Sequence, residues 1–203
     1  MASPSDTRFD YVTVGHVTRD AIEHGSDSAS FQPGGSAFYS ALQAARLGLR
    51  TLILTQGVPG EIEALLTPYL DELELHVVPA EHTTTLSTRG AGVRRTQRVL
   101  AWAGPIAEID LHTTILHLAP VARETPASWR GSASFVGVTP QGLIRDWRQS
   151  EDVSLVQLDA GPQLSDMPPA PPDRGLLAGE ISLVPLDSAL LPGSFDAAVI
   201  SEH

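Results

Sequence analysis

The feature that most restricts the fold is a repeated change of hydrophobic rhythm between Tyr11 and Val78. The segment "YVTVG" (Tyr11–Gly15) is short, rich in β-branched residues and ends on glycine, as a buried strand does. From Ser36 to Leu47 the period changes, with Phe38, Ala41, Leu42, Ala45 and Leu49 recurring at helical spacing. Ser36 is the predicted N-cap of this helix and Gly48 the predicted residue just past its end. "TLILT" (Thr51–Thr55) then predicts a second strand, "GEIEALLTPYL" a short helix and "ELHVV" a third strand. Strands separated by helices cannot pair as hairpins, so the order predicts parallel α/β layering.

The rhythm breaks between Thr83 and Trp102. Two polar, β-prone pieces, "TTTLST" and "RRTQRVLAW", are joined by "RGAGV" and predict a two-stranded ribbon on the edge of the main sheet. Layering resumes with "TTILHLAP", "SFVGVTP" and "VSLVQL" (Val153–Leu158). The proline-rich "GPQLSDMPPAPPDRG" after them reads as a surface loop, and "FDAAVISEH" as a further strand preceded by Asp196 in a turn.

With 24 acidic and 13 basic residues among 203, the chain carries a formal charge of -11, which argues against nucleic acid or an anionic membrane as its main partner. The exception is residues 81–100, where Arg89, Arg94, Arg95 and Arg98 face only Glu81. Every basic residue is arginine, so a phosphate-binding P-loop, which needs lysine, is excluded. Without cysteine there are no disulfides, thiolate metal sites or cysteine nucleophiles, and a cytoplasmic location is expected. No segment has the length and apolarity of a signal peptide core or a membrane span.

Candidate chemistry centres on "FQPGGSAFYSALQAARLG" (Phe31–Gly48). Gly34 and Gly35 stand before a helix, either as a tight turn or as a place where a ligand touches backbone and receives helix N–H groups. "GHVTRD" after the first strand lacks the spacing of a dinucleotide-binding loop. Asp20, just past that strand, lies at the sheet edge where α/β proteins bind ligands, and is either a solvated loop carboxylate or an acceptor for a pair of ligand hydroxyls. Among the seven histidines, His16 alone lies near this region, while His112 and His117 face opposite sides of a strand; no metal is assigned to any of them.

In order along the chain, "VTVGHVTRD", "PGGSAFYSALQAARLG", the polar ribbon, "ILHLAPVARE" and "VGVTPQGLIRDW" resemble the first two thirds of a ribokinase-like (PfkB) carbohydrate kinase. The resemblance implies a three-layer α/β/α fold with a mostly parallel central sheet, incomplete at the C-terminus. It would span 9–203, with lid segments at about 21–32 and 83–102. It also implies transfer of the ATP γ-phosphate to a sugar, nucleoside or related polyol. Asp20 falls on the aspartate that holds substrate hydroxyls, Gly34 and Gly35 on the glycine pair bordering the substrate, and Tyr39 where many members carry a sugar-contacting asparagine. Arg95, Arg98, Gln141 and Arg145 fall where lid or substrate contacts are expected, although the lid arginines equally suit an exposed strand edge, and Arg145 equally suits a pairing with Asp146 or Glu151.

The family's catalytic base lies in a C-terminal G-A-G-D motif that has no counterpart here, because "GSFD" (Gly193–Asp196) precedes a strand rather than opening a helix. ATP and Mg2+ are thus implied for the full-length family, but residues 1–203 are expected to bind neither well and to be inactive alone. The alternatives are a non-catalytic polyol or nucleoside binding module and an inactive fragment of such a kinase. A homodimer through the lid is a further implication of the resemblance.

Overall fold

The first strand, β1 (Phe9–Val14), leads not into a helix but into a hairpin, and this detour organises the molecule. The structure, a computed structural model, describes residues 9–23, 29–89, 96–107, 109–126, 128–147, 179–183, 185–186, 191 and 195–198. After β1 come β2 (Thr18–Glu23), β3 (Ala29–Gly34), α1 (Ser36–Arg46), β4 (Thr51–Gly57), α2 (Pro59–Leu66) and β5 (Glu74–Pro79). They are followed by β6 (Thr85–Arg89), β7 (Thr96–Ala101), β8 (Ile109–Leu118) and β9 (Trp129–Val138). Four two-residue strands complete the set: β10 (Arg145–Asp146), β11 (Gly179–Glu180), β12 (Ser182–Leu183) and β13 (Ala197–Ala198).

The main sheet has six strands in the order β13-β9-β8-β1-β4-β5, and every neighbouring pair is parallel. Along β4, Thr51, Ile53, Thr55 and Gly57 are buried while Leu52, Leu54 and Gln56 are half-buried, the period-two pattern of a strand with two unequal faces. Ile53 packs with Val17, Phe38, Ala41, Ile62, Leu66 and Leu73, so α1 and α2 share one core cluster. Small residues at Ala37, Ala41 and Ala44 on the buried stripe of α1 let its backbone come close to the sheet. A second cluster gathers Val12, Val14, Leu116, Leu118, Val136 and Val138 from three adjacent strands.

The ribbon is not on the edge of this sheet, as its sequence suggests. β6 and β7 pair antiparallel with each other, but β6 also pairs in parallel with β2, giving a separate five-stranded sheet in the order β11-β7-β6-β2-β3. Pro79 ends β5 without an amide donor, and the chain then turns away to pair with the β2–β3 hairpin instead. Both segments that the resemblance assigns to a lid therefore supply strands to one sheet.

Two further expectations change. Ser36 is not the N-cap: Gly35 takes that place, Ser36 is the first helical residue, and no side chain caps the helix. Gly48 does follow the last turn with φ 89, where its N–H reaches Ala45 O at 2.8 Å. Asp196 does more than turn the chain, since its Oδ2 accepts the Val136 N–H at 2.7 Å and so satisfies the edge of β9 before β13 begins. The strand expected at Val153–Leu158 and the proline-rich loop lie outside the described residues.

Phe38 is 2% exposed at the centre of the helix–sheet cluster. Phe38→Ala is expected to lower unfolding free energy by about 3–5 kcal/mol, measured by urea denaturation.

Candidate functional site

The glycine pair solves two different steric problems. Gly35 has φ 93 and ψ 142, a conformation open to glycine alone, and a Cβ there would lie 2.3 Å from His16 O. The helix start thus rests directly on the backbone leaving β1. Gly34 has another neighbour: a Cβ there would lie 2.3 Å and 2.6 Å from the two carboxylate oxygens of Asp20. The Asp20 side chain is laid over the bare α-carbon of Gly34.

Strand pairing explains the approach. In the β2–β3 hairpin Thr18 is opposite Gly34, and Asp20 is two residues on, opposite Gln32, so Thr18, Asp20 and Gly34 share one face. Thr18 Oγ1 donates to Asp20 Oδ1 at 2.7 Å, holding the carboxylate toward the glycine. Tyr39 stands in the first turn of α1, 58% exposed, with its hydroxyl donating to Pro33 O at 3.2 Å. Burial of part of the ring pushes the Tyr39 hydroxyl pKa up, and the negative charge of Asp20 adds to the rise. Asp20, Gly34, Gly35 and Tyr39 are therefore brought together. The arrangement offers a carboxylate, an uncapped helix start and an aromatic ring, groups suited to hydroxyls and a ring face.

Of the other expected residues, Arg98, Gln141 and Arg145 are described. Arg98 lies on β7, opposite Ser87 of β6. Arg145 is 8% exposed and donates to Val121 O at 3.1 Å and to Gln97 Oε1 at 3.0 Å, so it ties the loop after β8 to β7. Gln141 is half-buried in a 3-10 turn over Pro140–Gly142. Arg95 lies outside the described residues.

Sequence reasoning missed Glu124, which is 0% exposed and accepts backbone N–H groups from His16, Val121 and Ala122. The one signal is a charged residue shortly after a strand, which in sequence looks like any solvated loop. It also missed the partner of His16, whose Nδ1 lies 2.7 Å from Thr84 Oγ1. Burial pushes the His16 pKa down, against the opposing pull of Glu124 and the Gly104 backbone. His112 and His117 are indeed apart: His112 bonds Ser132, whereas His117 bonds the hydroxyls of Tyr11 and Thr139. Among the described residues no group of three His, Asp or Glu side chains is placed to hold a metal, and no helix is long and apolar enough to cross a membrane.

These placements yield two measurable outcomes. Gly35→Ala combines a forbidden φ with a backbone clash and is expected to destabilise by at least about 1–3 kcal/mol. Gly34→Ala meets only the end of a side chain, so its melting temperature is expected to stay well above that of Gly35→Ala while the Asp20 carboxylate is displaced. Thermal melts of both variants check the order.

Burial pushes the His117 pKa down to about 4, below the value near 6.5 of an unfolded histidine. The unfolded chain binds the extra proton in between, so the stability held by neutral His117 is complete above about pH 6.5 and declines as pH falls toward 4, by at most about 3 kcal/mol. Urea unfolding at pH 7 and pH 4 is expected to show a smaller pH difference in His117→Gln than in the wild type.

No protein-family model and no curated protein matches this sequence. Solved structures do match. One is a pyrophosphate-dependent kinase in the ribokinase family complexed with a pyrophosphate analog and myo-inositol, with a TM-score of 0.54 and 19% identity over 66% of this chain and 50% of that one. A sulfate complex of a pyrophosphate-dependent kinase in the ribokinase family matches with a TM-score of 0.54 and 18% identity over 66% of this chain and 51% of that one. A pyrophosphate-dependent myo-inositol-1 kinase converted into a myo-inositol-3 kinase gives 0.53 and 18% over 66% of this chain and 49% of that one. The chain spans about half the length of these solved structures. At such identities the likeness is one of architecture: a mixed α/β arrangement whose largely parallel central sheet is flanked by helices. Across about 66% of its length, the chain has the ribokinase-like fold.

Proposed function

We propose that this chain supplies the substrate-binding part of an ATP-dependent kinase that phosphorylates a sugar, nucleoside or related polyol. The observation that carries the reading is the Asp20 carboxylate held over Gly34 by Thr18, at the mouth of an uncapped helix. A carboxylate accepts two hydroxyl protons at once, and the missing Cβ lets a ligand lie close to the backbone. The sheet built from β2, β3, β6, β7 and β11 acts as the lid, with Asp20 on β2, between β6 and the edge strand β3. The exposed ring of Tyr39 gives a flat apolar wall, which suits the C–H face of a cyclic substrate better than a linear one. Similarity to a ribokinase-family kinase whose complex contains myo-inositol supports a cyclic polyol among the candidates.

ATP with Mg2+ would supply the phosphoryl group in such a kinase. Among the described residues no group of three His, Asp or Glu side chains is placed to hold a metal, and the sequence holds no lysine. No transfer step is assigned to them. The Asp20–Gly34 arrangement equally suits, as a second reading, a polyol or nucleoside binding module without catalysis of its own.

Titration of residues 1–203 with ribose, myo-inositol and adenosine, followed by amide NMR, tests the shared part of both readings. At least one ligand is expected to move the Asp20, Gly34 and Gly35 amides, and Asp20→Ala is expected to weaken its binding by about 10- to 100-fold, the effect of losing hydrogen bonds to a charged group. Absence of binding by all three, or binding that Asp20→Ala leaves intact, would falsify the reading.

A further inference from the structure

Glu124 is a fully buried carboxylate that takes no part in the arrangement over Gly34. Its Oε1 accepts the His16 N–H and the Val121 N–H, each at 2.8 Å, and its Oε2 accepts the Ala122 N–H at 2.6 Å. A carboxylate is strongly disfavoured away from water unless such donors surround it, so packing alone does not account for an acid here. The turn that delivers it is itself unusual. Arg123 holds φ 57, which a non-glycine residue seldom adopts, and is pinned there by its N–H to Gly142 O at 3.2 Å and its Nε to Leu143 O at 3.2 Å.

We propose that Glu124 is a positioning residue for the Asp20–Gly34–Gly35 site, fixing through His16 both the glycine floor and the two roots of the β6–β7 ribbon. This rests on the reading of that site as a substrate site. The first branch runs through the backbone, because the carbonyl of His16 is the surface on which Gly35 sits, and Val121 Cγ2 would lie 3.3 Å from a Cβ at the same glycine. Both residues whose amides bond Glu124 Oε1 therefore line the space that a side chain on Gly35 would need. The second branch runs through the His16 ring. Thr84 Oγ1 accepts the Ala103 N–H at 3.0 Å and shares a second hydrogen bond, 2.7 Å long, with His16 Nδ1. Thr84 precedes β6 and Ala103 follows β7, so this hydroxyl clasps the chain where it enters and leaves the ribbon. Glu124 acts through the backbone N–H groups it holds.

Glu124→Gln tests this, since the amide keeps the shape but turns an N–H2 group toward donors that need an acceptor. The variant is expected to shift the Gly35 and Ala103 amide resonances, to speed hydrogen exchange at His16, Val121 and Ala122 at least tenfold, and to weaken binding at least tenfold for whichever of ribose, myo-inositol and adenosine the wild type binds. Val136→Ala, in the separate cluster of Val12 and Leu116, is the control for general destabilisation and is expected to leave affinity and those resonances unchanged. Wild-type affinity in Glu124→Gln with unmoved Gly35 and Ala103 amides overturns the proposal, as does an equal loss of affinity in Val136→Ala. If the wild type binds none of the three ligands, the substrate reading fails by itself, and the coupling stands or falls on the two resonances. Thr84→Val provides a second route should Glu124→Gln not fold: the Ala103 amide is expected to move while Gly35 stays, and an unmoved Ala103 overturns the ribbon branch.

Discussion

The helix that follows the glycine pair can begin where it does only because Gly35 has no side chain. Its α-carbon lies against the His16 carbonyl, at a φ of 93 that no other residue adopts comfortably. That contact puts the first turn of α1 directly behind the exit of β1. It thereby sets how Phe38 and Ala41 meet Ile53 and Val17 in the core. It also leaves the helix start without a side-chain cap, beside a carboxylate held in place by a threonine. Core packing and site chemistry depend on the same close approach of two backbone segments.

Arginine does the work of holding the second sheet to the rest of the molecule. Arg19 on β2 pairs with Glu61 of α2 at 2.8 Å while its guanidinium lies 4.1 Å from the ring centroid of Phe31. A planar guanidinium can stack and pair at once, which an ammonium cannot. Arg145 spans the loop after β8 and Gln97 of β7 in a similar way, with donors pointing to two acceptors on different elements. In a chain with no lysine, these residues read as fasteners between layers rather than as a surface for an anionic polymer.

Much of the main sheet was legible in the sequence because β1, α1, β4, α2 and β5 each carry their own period. Apolar spacing in "TLILT" and in the helix after Gly35 reflects burial that is decided locally. The second sheet was legible only in part. β6 and β7 carry a hairpin signal, but nothing in "TRDAIE" or "ASFQPG" alternates clearly, and the pairing of β2 with β6 joins segments far apart in the chain. In the site, Asp20 and the glycines were found because their residue types are restrictive. Tyr39 emerged as a departure from a resembled pattern, and it does stand beside them. Glu124 was not found, because an acidic loop residue gives no sign of whether its oxygens meet water or three amides. Serine's usual preference for N-caps misplaced the helix start by one residue, where the neighbouring carbonyl demanded glycine instead.

The second sheet draws its strands from Thr18–Gly34, Thr85–Ala101 and finally Gly179–Glu180, which pairs with Val99 and Arg98. By contrast, Gly35 meets the His16 carbonyl within the span of the first hairpin and the helix start that follows it. Loop closure grows more costly in entropy with the length of chain enclosed, and contacts of long sequence separation slow folding. The two parts thus differ in contact order: the approach of Gly35 to His16 closes over a short stretch early in the chain, while the second sheet is complete only when a strand well beyond β9 has been synthesised and has found its edge.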